Sequence, residues 1–210
     1  MVNFASLSLL ALGLISSQAL AAPATVTATK SVAATKSKAA GHERFSFAKW
    51  VDTIIANPDT ALSPQEALQA YLDTVNSTTS ATAHDKRWDS QYECSYNSDK
   101  QAKASDAVIC INNLAAAGQV PCTARKVTSN SGTGMSTLVY CLYGTAMLGP
   151  AGPWYDDSSK WGTCQSIAQT AGAIMDTCTQ PNAMVAGMRW YDLTGTKAGM
   201  SIVKRPSDLA

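Results

Sequence analysis

The side chains of this chain that could serve as nucleophiles, bases or metal ligands include six cysteines and two histidines. The cysteines all lie in the second part of the chain, at Cys94, Cys110, Cys122, Cys141, Cys164 and Cys178. None of their spacings is the C-x₂-C or C-x₄-C typical of zinc sites, so we expect no metal site. In an oxidising compartment an even number of cysteines predicts three disulfides, and fifteen pairings remain open.

The two histidines restrict the catalytic chemistry of the second part of the chain. His42 and His84 both precede a dibasic pair, Lys86-Arg87, and no histidine follows it. A product that starts after Arg87 would lack Ser-His-Asp and Cys-His catalysis as well as histidine ligands for a metal. Paired cysteines would also leave no thiol nucleophile, and no glycine-rich phosphate loop is present. We therefore expect a product that is not an enzyme and needs no cofactor.

A short segment, 153–161, concentrates aromatic and acidic side chains. The candidate binding residues are Trp154, Tyr155, Asp156, Asp157 and Trp161. Tryptophan and tyrosine are favoured anchors for sugars and for protein partners. The alternative is structural, with Trp154 and Trp161 folded back over the start of the next helix. Adjacent aspartates are typical of turns and helix caps, although a small hydrolase could use them, and no D-x-D-x-D calcium spacing follows.

The charge balance argues against a nucleic-acid partner. Only 15% of the 210 residues are charged, whereas 46% are hydrophobic. Residues 88–210 contain nine acidic and nine basic side chains, so they carry no net charge. Binding to a phosphate backbone needs an excess of lysine and arginine, which this region does not have.

The first residues are typical of a secretory signal. Leu7–Ile15 is a short apolar run, and Ala19-Leu20-Ala21 has the small-x-small pattern of a cleavage site. We interpret 1–21 as a cleaved signal peptide and expect a secreted, extracellular product; the alternative is an ordinary buried helix. No further apolar stretch reaches the length of a transmembrane helix.

Residues 22–87 are interpreted as a pro-region. An Ala-, Thr-, Ser- and Lys-rich spacer over 22–41 comes first. Apolar residues at helical spacing then predict one helix that Asn57-Pro58 ends. A second helix follows, with Ser63 as N-cap, Pro64 as its first residue and Glu66 completing a capping box. Two short amphipathic helices without a cysteine make a poor domain alone, so their apolar faces need a partner.

A polar linker over 76–83 follows these helices and begins with a glycosylation sequon at Asn76. It leads to Lys86 and Arg87, a site that a subtilisin-like secretory protease would cut. The alternative is an exposed pair that stays uncut. We predict cleavage after Arg87, which would release residues 88–210 as a cysteine-rich domain.

The pattern of residues 88–210 predicts an α+β fold. Helices are expected over 105–117 and 164–178, and strands over 92–96, 137–143, 184–192 and 199–204. An extended segment is expected over 121–128, while 144–162 has the composition of a loop. Two helices on one face of a mostly antiparallel sheet give a two-layer α/β sandwich of split βαβ type. Disulfides between helices and sheet would staple it.

Five segments of the chain form a recognisable pattern: FSFAKWVDTIIANP and LSPQEAL before the dibasic pair, and ASDAVICINNLAAAG, GTCQSIAQTAGAIMDTC and AMVAGM after it. Together they resemble a class of small secreted fungal cysteine-rich proteins. This pattern is similar to the necrosis-inducing effector family, whose members resemble killer-toxin two-layer folds. This chain differs in an additional cysteine-bearing strand and in its long aromatic loop. The resemblance implies a protein directed at a host or competitor that acts by binding or membrane perturbation, with no catalytic residues.

Three functional hypotheses follow. The first is a non-enzymatic secreted effector or toxin-like protein, whose pro-helices cover an apolar surface during folding and then leave. Its partners would be a protein, cell wall or membrane of a host or competitor, besides the processing protease. The second is a wall-associated carbohydrate-binding protein that uses the aromatic loop. The third is a small secreted hydrolase that uses aspartates.

Overall fold

Helices α1 (Phe47–Ala56) and α2 (Pro64–Ser77) form a helical segment that precedes a larger disulfide-bonded domain. We call residues 44–77 the helical segment and residues 91–209 the disulfide-bonded domain. The computed structural model describes residues 44–77, 91–130, 136–152, 162–193 and 196–209. The predicted signal peptide, the spacer and the dibasic pair all lie outside the described residues.

Side-chain caps start both N-terminal helices. The Ser46 hydroxyl accepts the Lys49 amide of α1 at 3.3 Å. At the start of α2, Glu66 Oε2 accepts the Ser63 amide at 2.8 Å, and Ser63 Oγ accepts the Glu66 amide at 3.4 Å. This reciprocal pair is the predicted capping box, and Pro64 is the first helical residue as expected. Helix α2 continues through Ser77, so the linker begins two residues later than predicted.

The disulfide-bonded domain combines two long helices with short strands. Its helices are α3 (Ala104–Ala117) and α4 (Cys164–Cys178), and a 3₁₀ turn spans Ser98–Lys100. The strands in its described residues are β1 (Tyr92–Cys94), β2 (Ala102–Lys103), β3 (Arg125–Thr128), β4 (Ser136–Val139), β5 (Cys141–Tyr143), β6 (Ala146–Ala151), β7 (Met184–Val185), β8 (Gly187–Leu193) and β9 (Thr196–Lys204).

Five of these strands form one antiparallel sheet in the order β1-β8-β9-β6-β5. Helices α3 and α4 pack on one face of it, over buried residues such as Leu148 and Ile202. Two antiparallel ribbons, β2–β7 and β3–β4, flank the sheet. The predicted α+β class, with two helices on a mostly antiparallel sheet, is therefore confirmed.

The predicted loop over 144–162 was wrong in its first part, because β6 lies inside the sheet between β5 and β9. Its sequence contains Gly149 and Pro150, two residues that usually interrupt strands. A Cβ atom at Gly149 would lie 2.5 Å from the Leu138 carbonyl oxygen, so the glycine permits a close approach of β4. Pro150 lies beyond Ala146–Leu148, the part of β6 that pairs with β5.

The single strand predicted over 137–143 is divided at Tyr140. Strand β4 pairs with β3, whereas β5 pairs with β6 in the main sheet. The Tyr140 amide donates to the Leu148 carbonyl at 2.8 Å, at the point where the chain passes from one sheet to the other. The strand predicted over 184–192 is likewise divided at Ala186, because β7 pairs with β2 and β8 with β1 and β9.

All six cysteines form disulfides, as predicted. Cys94–Cys178 joins β1 to the end of α4, and Cys110–Cys141 joins α3 to β5. Cys122–Cys164 joins the loop after α3 to the first residue of α4. Two of the three bridges are thus the expected helix-to-sheet links. The sequence had left the pairing itself open.

Candidate functional site

All of the candidate binding and processing residues predicted from the sequence lie outside the described residues, seven of the fourteen predicted site residues. These are the aromatic-loop residues Trp154, Tyr155, Asp156, Asp157 and Trp161, and the dibasic pair Lys86 and Arg87. Asn76 of the glycosylation sequon is described, and it is exposed on the last turn of α2. The structure offers three other features that could bind a partner.

The first is the contact between the helical segment and the disulfide-bonded domain. Helix α1 packs on α3 and α4, and α2 packs on α3, so α3 and α4 lie between the helical segment and the sheet. Phe47 and Val51 of α1 are 0% exposed, and Trp50 and Ile54 are 3% and 5% exposed. These side chains belong to the same hydrophobic cluster as Ile111 of α3 and the other core residues of the domain. The helical segment therefore completes the core.

Helix α4 has two opposite faces with different partners. The apolar stripe expected from the sequence faces the sheet side and includes Ile167, Ala171 and Ile174. A second stripe, Gln169, Gly172, Asp176 and Thr179, recurs at i, i+3, i+7 and i+10 and contacts the helical segment. Its polar and small residues are typical of a solvent-exposed helix face, so the sequence pattern did not predict a partner helix there.

Gly172 determines how closely α1 approaches α4. A Cβ atom at this position would lie 3.0 Å from both the Phe47 carbonyl oxygen and the Ala48 Cα. Contacts of that length are too tight for an ordinary side chain, so the two helices come together where α4 has no side chain. A glycine inside a helix costs about 1 kcal/mol relative to alanine, and helix packing is one physical reason to retain it.

Asp176 binds the N-terminus of α1. Its Oδ1 accepts the Phe47 amide at 2.6 Å, and its Oδ2 accepts the Ala48 amide at 3.0 Å and the Ser46 hydroxyl at 2.7 Å. The first amides of a helix have no partner within it and favour a negative charge. The residue is exposed overall, but enclosure of its carboxyl group raises the pKa, and these three hydrogen bonds oppose that rise.

Tyr71 anchors α2 to the other end of α4. Its hydroxyl donates to the Thr179 carbonyl oxygen at 2.7 Å, and its ring centroid lies 5.1 Å from that of Phe47. Burial, and secondly the negative charge of Asp176, raise the pKa of Tyr71 to about 12. Ionisation of this phenol would place an unpaired charge in the contact and remove the hydrogen bond.

We expect Tyr71 to make the folded chain sensitive to alkaline pH. Its pKa is higher in the folded than in the unfolded chain, so its contribution is complete below pH 10 and is lost as the pH rises through about 12. Denaturant midpoints measured from pH 9 to 12 should fall less steeply for Tyr71→Phe than for the natural chain. Tyr143→Phe is the matched control, because Tyr143 is 45% exposed. Equal slopes for both variants would contradict the prediction.

The second feature is a cavity of about 240 Å³ between α4 and the sheet. Its walls include Tyr140, Ile167 and Met200, besides Thr170 and Tyr191, whose hydroxyls lie 2.5 Å apart. The Tyr140 hydroxyl is buried and has no hydrogen-bond partner among the described residues, and burial raises its pKa strongly. Tyr140 lies within a strand that the sequence predicts. No local sequence pattern indicates the cavity, since its residues come from four separate segments of the chain.

The third feature is a groove of about 400 Å³ on the sheet face opposite α3 and α4. Its lining combines apolar side chains, among them Met147, Met188 and Val203, with polar ones such as Thr137 and Ser201. The Trp190 indole nitrogen donates to Glu93 Oε2 at 3.3 Å across it. A groove of this mixed composition suits both polar and apolar contact with a partner.

Two further properties concern the described residues as a whole. They contain no group of three or more histidine, cysteine, aspartate or glutamate side chains arranged to hold a metal ion. None of their helices combines the length and the apolar character that crossing a bilayer requires.

Comparison with known proteins gives one match. No curated protein and no solved structure matches the chain. A family described as a domain of unknown function, DUF8794, matches residues 89–198. This range is just over half of the 210 residues and contains all six cysteines and both helices of the disulfide-bonded domain. The chain therefore belongs to the DUF8794 family.

Proposed function

We propose that this chain is a secreted, non-enzymatic effector or toxin-like protein, made as a proprotein and cleaved after Arg87. Its targets would be a protein, cell wall or membrane of a host or competitor. The leader sequence over 1–21 supports export, and three disulfides suit an oxidising compartment. The lack of histidine in 88–210, where every cysteine is paired, supports a binding activity over nucleophilic catalysis.

One observation carries the proposal: the helical segment packs its apolar side chains on α3 and α4 of the disulfide-bonded domain, and the residues that join the two parts contain the dibasic pair Lys86-Arg87. Phe47, Trp50 and Ile54 are buried, although the segment contains no cysteine. The family match begins at residue 89, two residues after Arg87. A cut after Arg87 would leave the covering segment and the matched region, 89–198, on separate chains.

Removal of the cover would produce a surface suited to binding. The α3 and α4 residues that now contact α1 and α2 would become accessible, with Gly172 and Asp176 among them. The α4 part of this face is small and polar, whereas Ile111 of α3 belongs to the hydrophobic cluster that α1 joins. A surface that combines polar and apolar groups is typical of protein interfaces. The covered face of α3 and α4 is accordingly the proposed target-binding surface.

The proposal is tested on the secreted protein applied to plant leaf tissue and to cells of competing fungi. Electrolyte leakage and growth measure its effect. We expect activity from the processed protein, and at least a tenfold loss in a Lys86→Ala, Arg87→Ala variant that stays uncut. Reduced and alkylated protein serves as the inactive control.

Two results would contradict the effector proposal. The first is a complete lack of effect on every cell type, combined with retention on chitin or glucan that Trp154→Ala abolishes, which would favour the carbohydrate-binding alternative. The second is turnover of a wall polymer that is lost in Asp156→Asn or Asp157→Asn, which would identify a hydrolase. An active protein that leaves both substrates unbound and uncut supports the effector function.

A further inference from the structure

We infer that the helical segment stays bound to the disulfide-bonded domain after cleavage, as a non-covalent second chain that keeps the α3–α4 face closed. This inference rests on the proposed cleavage after Arg87 and goes beyond it, because cleavage of the linker alone does not determine whether the segment dissociates. The contacts between the segment and the domain oppose dissociation.

The apolar contact is that of a protein interior. Phe47 and Val51 are 0% exposed, and Trp50 and Ile54 are nearly so. Within the segment, Phe47 lies edge-on to Trp50, with ring centroids 6.3 Å apart, and against Tyr71 at 5.1 Å, while α1 packs on both α3 and α4. The segment and the domain form one compact unit. Separation would expose to water those surfaces of the side chains that pack on α3 and α4, which opposes dissociation.

Polar contacts fix the position of the segment at several points. Asp176 accepts three hydrogen bonds at the start of α1, and Tyr71 donates to the Thr179 carbonyl. On the same stripe of α4, Gln169 Nε2 donates to Asp52 Oδ1 at 2.8 Å. Hydrogen bonds to a charged group are among the stronger ones, and an unpaired buried partner is costly. The contact is therefore specific as well as apolar.

Cleavage after Arg87 would leave these contacts in place. Every contact named above involves residues between Ser46 and Tyr71 on the side of the segment, at least sixteen residues before the cut. The disulfides all join residues within 94–178, so no covalent bond crosses the contact. A processed molecule would thus consist of two chains held by packing and hydrogen bonds.

The test uses the full secreted protein, both as it is recovered and after cutting of the precursor by a dibasic-specific protease. Native size-exclusion chromatography followed by intact-mass measurement identifies the chains in each peak. We expect a fragment ending at Arg87 and a fragment starting at Trp88 in a single peak. Two separate peaks would overturn the inference. A secreted protein that is intact across Arg87, combined with one peak for the protein cut in vitro, would reject the proposed processing and leave the inference standing.

Two variants identify the contact that holds the chains together. Gly172→Gln places a side chain where even a Cβ would lie 3.0 Å from α1, so we expect at least tenfold weaker association after cutting. The released domain of this variant should keep its melting temperature, because glutamine favours a helix over glycine. Unfolding of the released Gly172→Gln domain would show that the domain itself requires the glycine, and Val51→Asp then decides whether α1 holds the two chains together.

Val51→Asp places a charge in the same contact without changing the disulfide-bonded domain. Its matched control is Thr53→Asp, which adds the same charge to the exposed side of α1. After cutting, we expect separate peaks and increased binding of the dye ANS for Val51→Asp only. Equal behaviour of the two variants, or high dye binding by the natural two-chain protein, would show that α1 does not close the α3–α4 face.

Discussion

Replacement of Cys94 and Cys178 together by alanine should lower the free energy of unfolding by about 4–5 kcal/mol, the largest loss expected for any of the three disulfides. The bridge joins residues 84 positions apart, so it restricts the unfolded chain more than the others do. It also holds β1, a three-residue strand at the edge of the sheet, to the end of α4. Denaturant unfolding under non-reducing conditions measures the loss.

The matched comparison is the Cys110→Ala, Cys141→Ala variant, whose bridge spans 31 positions. The shorter loop predicts a loss about 1 kcal/mol smaller, on the same chain-entropy argument. A larger loss from the shorter loop would contradict the expected order. It would indicate that packing around Cys110, which is fully buried in α3, outweighs the effect on the unfolded chain.

Phe47→Ala should destabilise the uncut chain by about 3–5 kcal/mol, because it removes a fully buried ring from the shared core. The position lies in the helical segment, so a loss of this size means that the segment unfolds together with the disulfide-bonded domain. The control is Leu62→Ala in the same segment. Leu62 is 42% exposed, and its truncation should cost less than about 1 kcal/mol.

The form of the unfolding curve provides the second readout of Phe47→Ala. We expect a single transition for both the natural uncut chain and Phe47→Ala, with a lower denaturant midpoint in the variant. Similar small losses for Phe47→Ala and Leu62→Ala would mean that α1 adds nothing to the cooperative core. That result would contradict both the shared core and the stability of the two-chain form.

Helices with a one-sided pattern were predictable from the sequence. The stripe from Cys164 to Cys178 indicated α4 with its exact bounds, and Ser63 with Glu66 marked the start of α2. Gly118, with a φ of 71°, ends α3 where the sequence placed the stop. In each case the signal is local, because a cap or a helical period involves residues only a few positions apart.

Strands whose environment is set by distant residues were not predictable in the same way. Gly149 and Pro150 suggested a loop, and only the approach of Leu138 in β4 explains why a glycine suits β6. Tyr140 lies in an uninterrupted β-type run, yet the chain changes sheets there. Both outcomes depend on pairing partners that no local pattern specifies.

Only one side of the contact between the helical segment and the domain was predictable from the sequence. The apolar faces of α1 and α2 predicted that something must cover them, and the structure identifies α3 and α4 as that partner. The complementary stripe on α4 was missed, since Gln169 and Asp176 suggest solvent and not a partner helix. Gly172 in the middle of α4 was the available signal, because a glycine in a helix interior often marks close packing.

The confinement of all three disulfides to residues 94–178 has a consequence for the proposed two-chain form. While the chain is uncut, the segment meets its face as an intramolecular partner, with an effective concentration on the order of millimolar. Once the linker is cut, mass action alone sets the occupancy of the face. In the proposed two-chain form, a high protein concentration would keep the face closed, and dilution below the dissociation constant would open it without any reductant. The local concentration of the protein would then decide where the face becomes accessible.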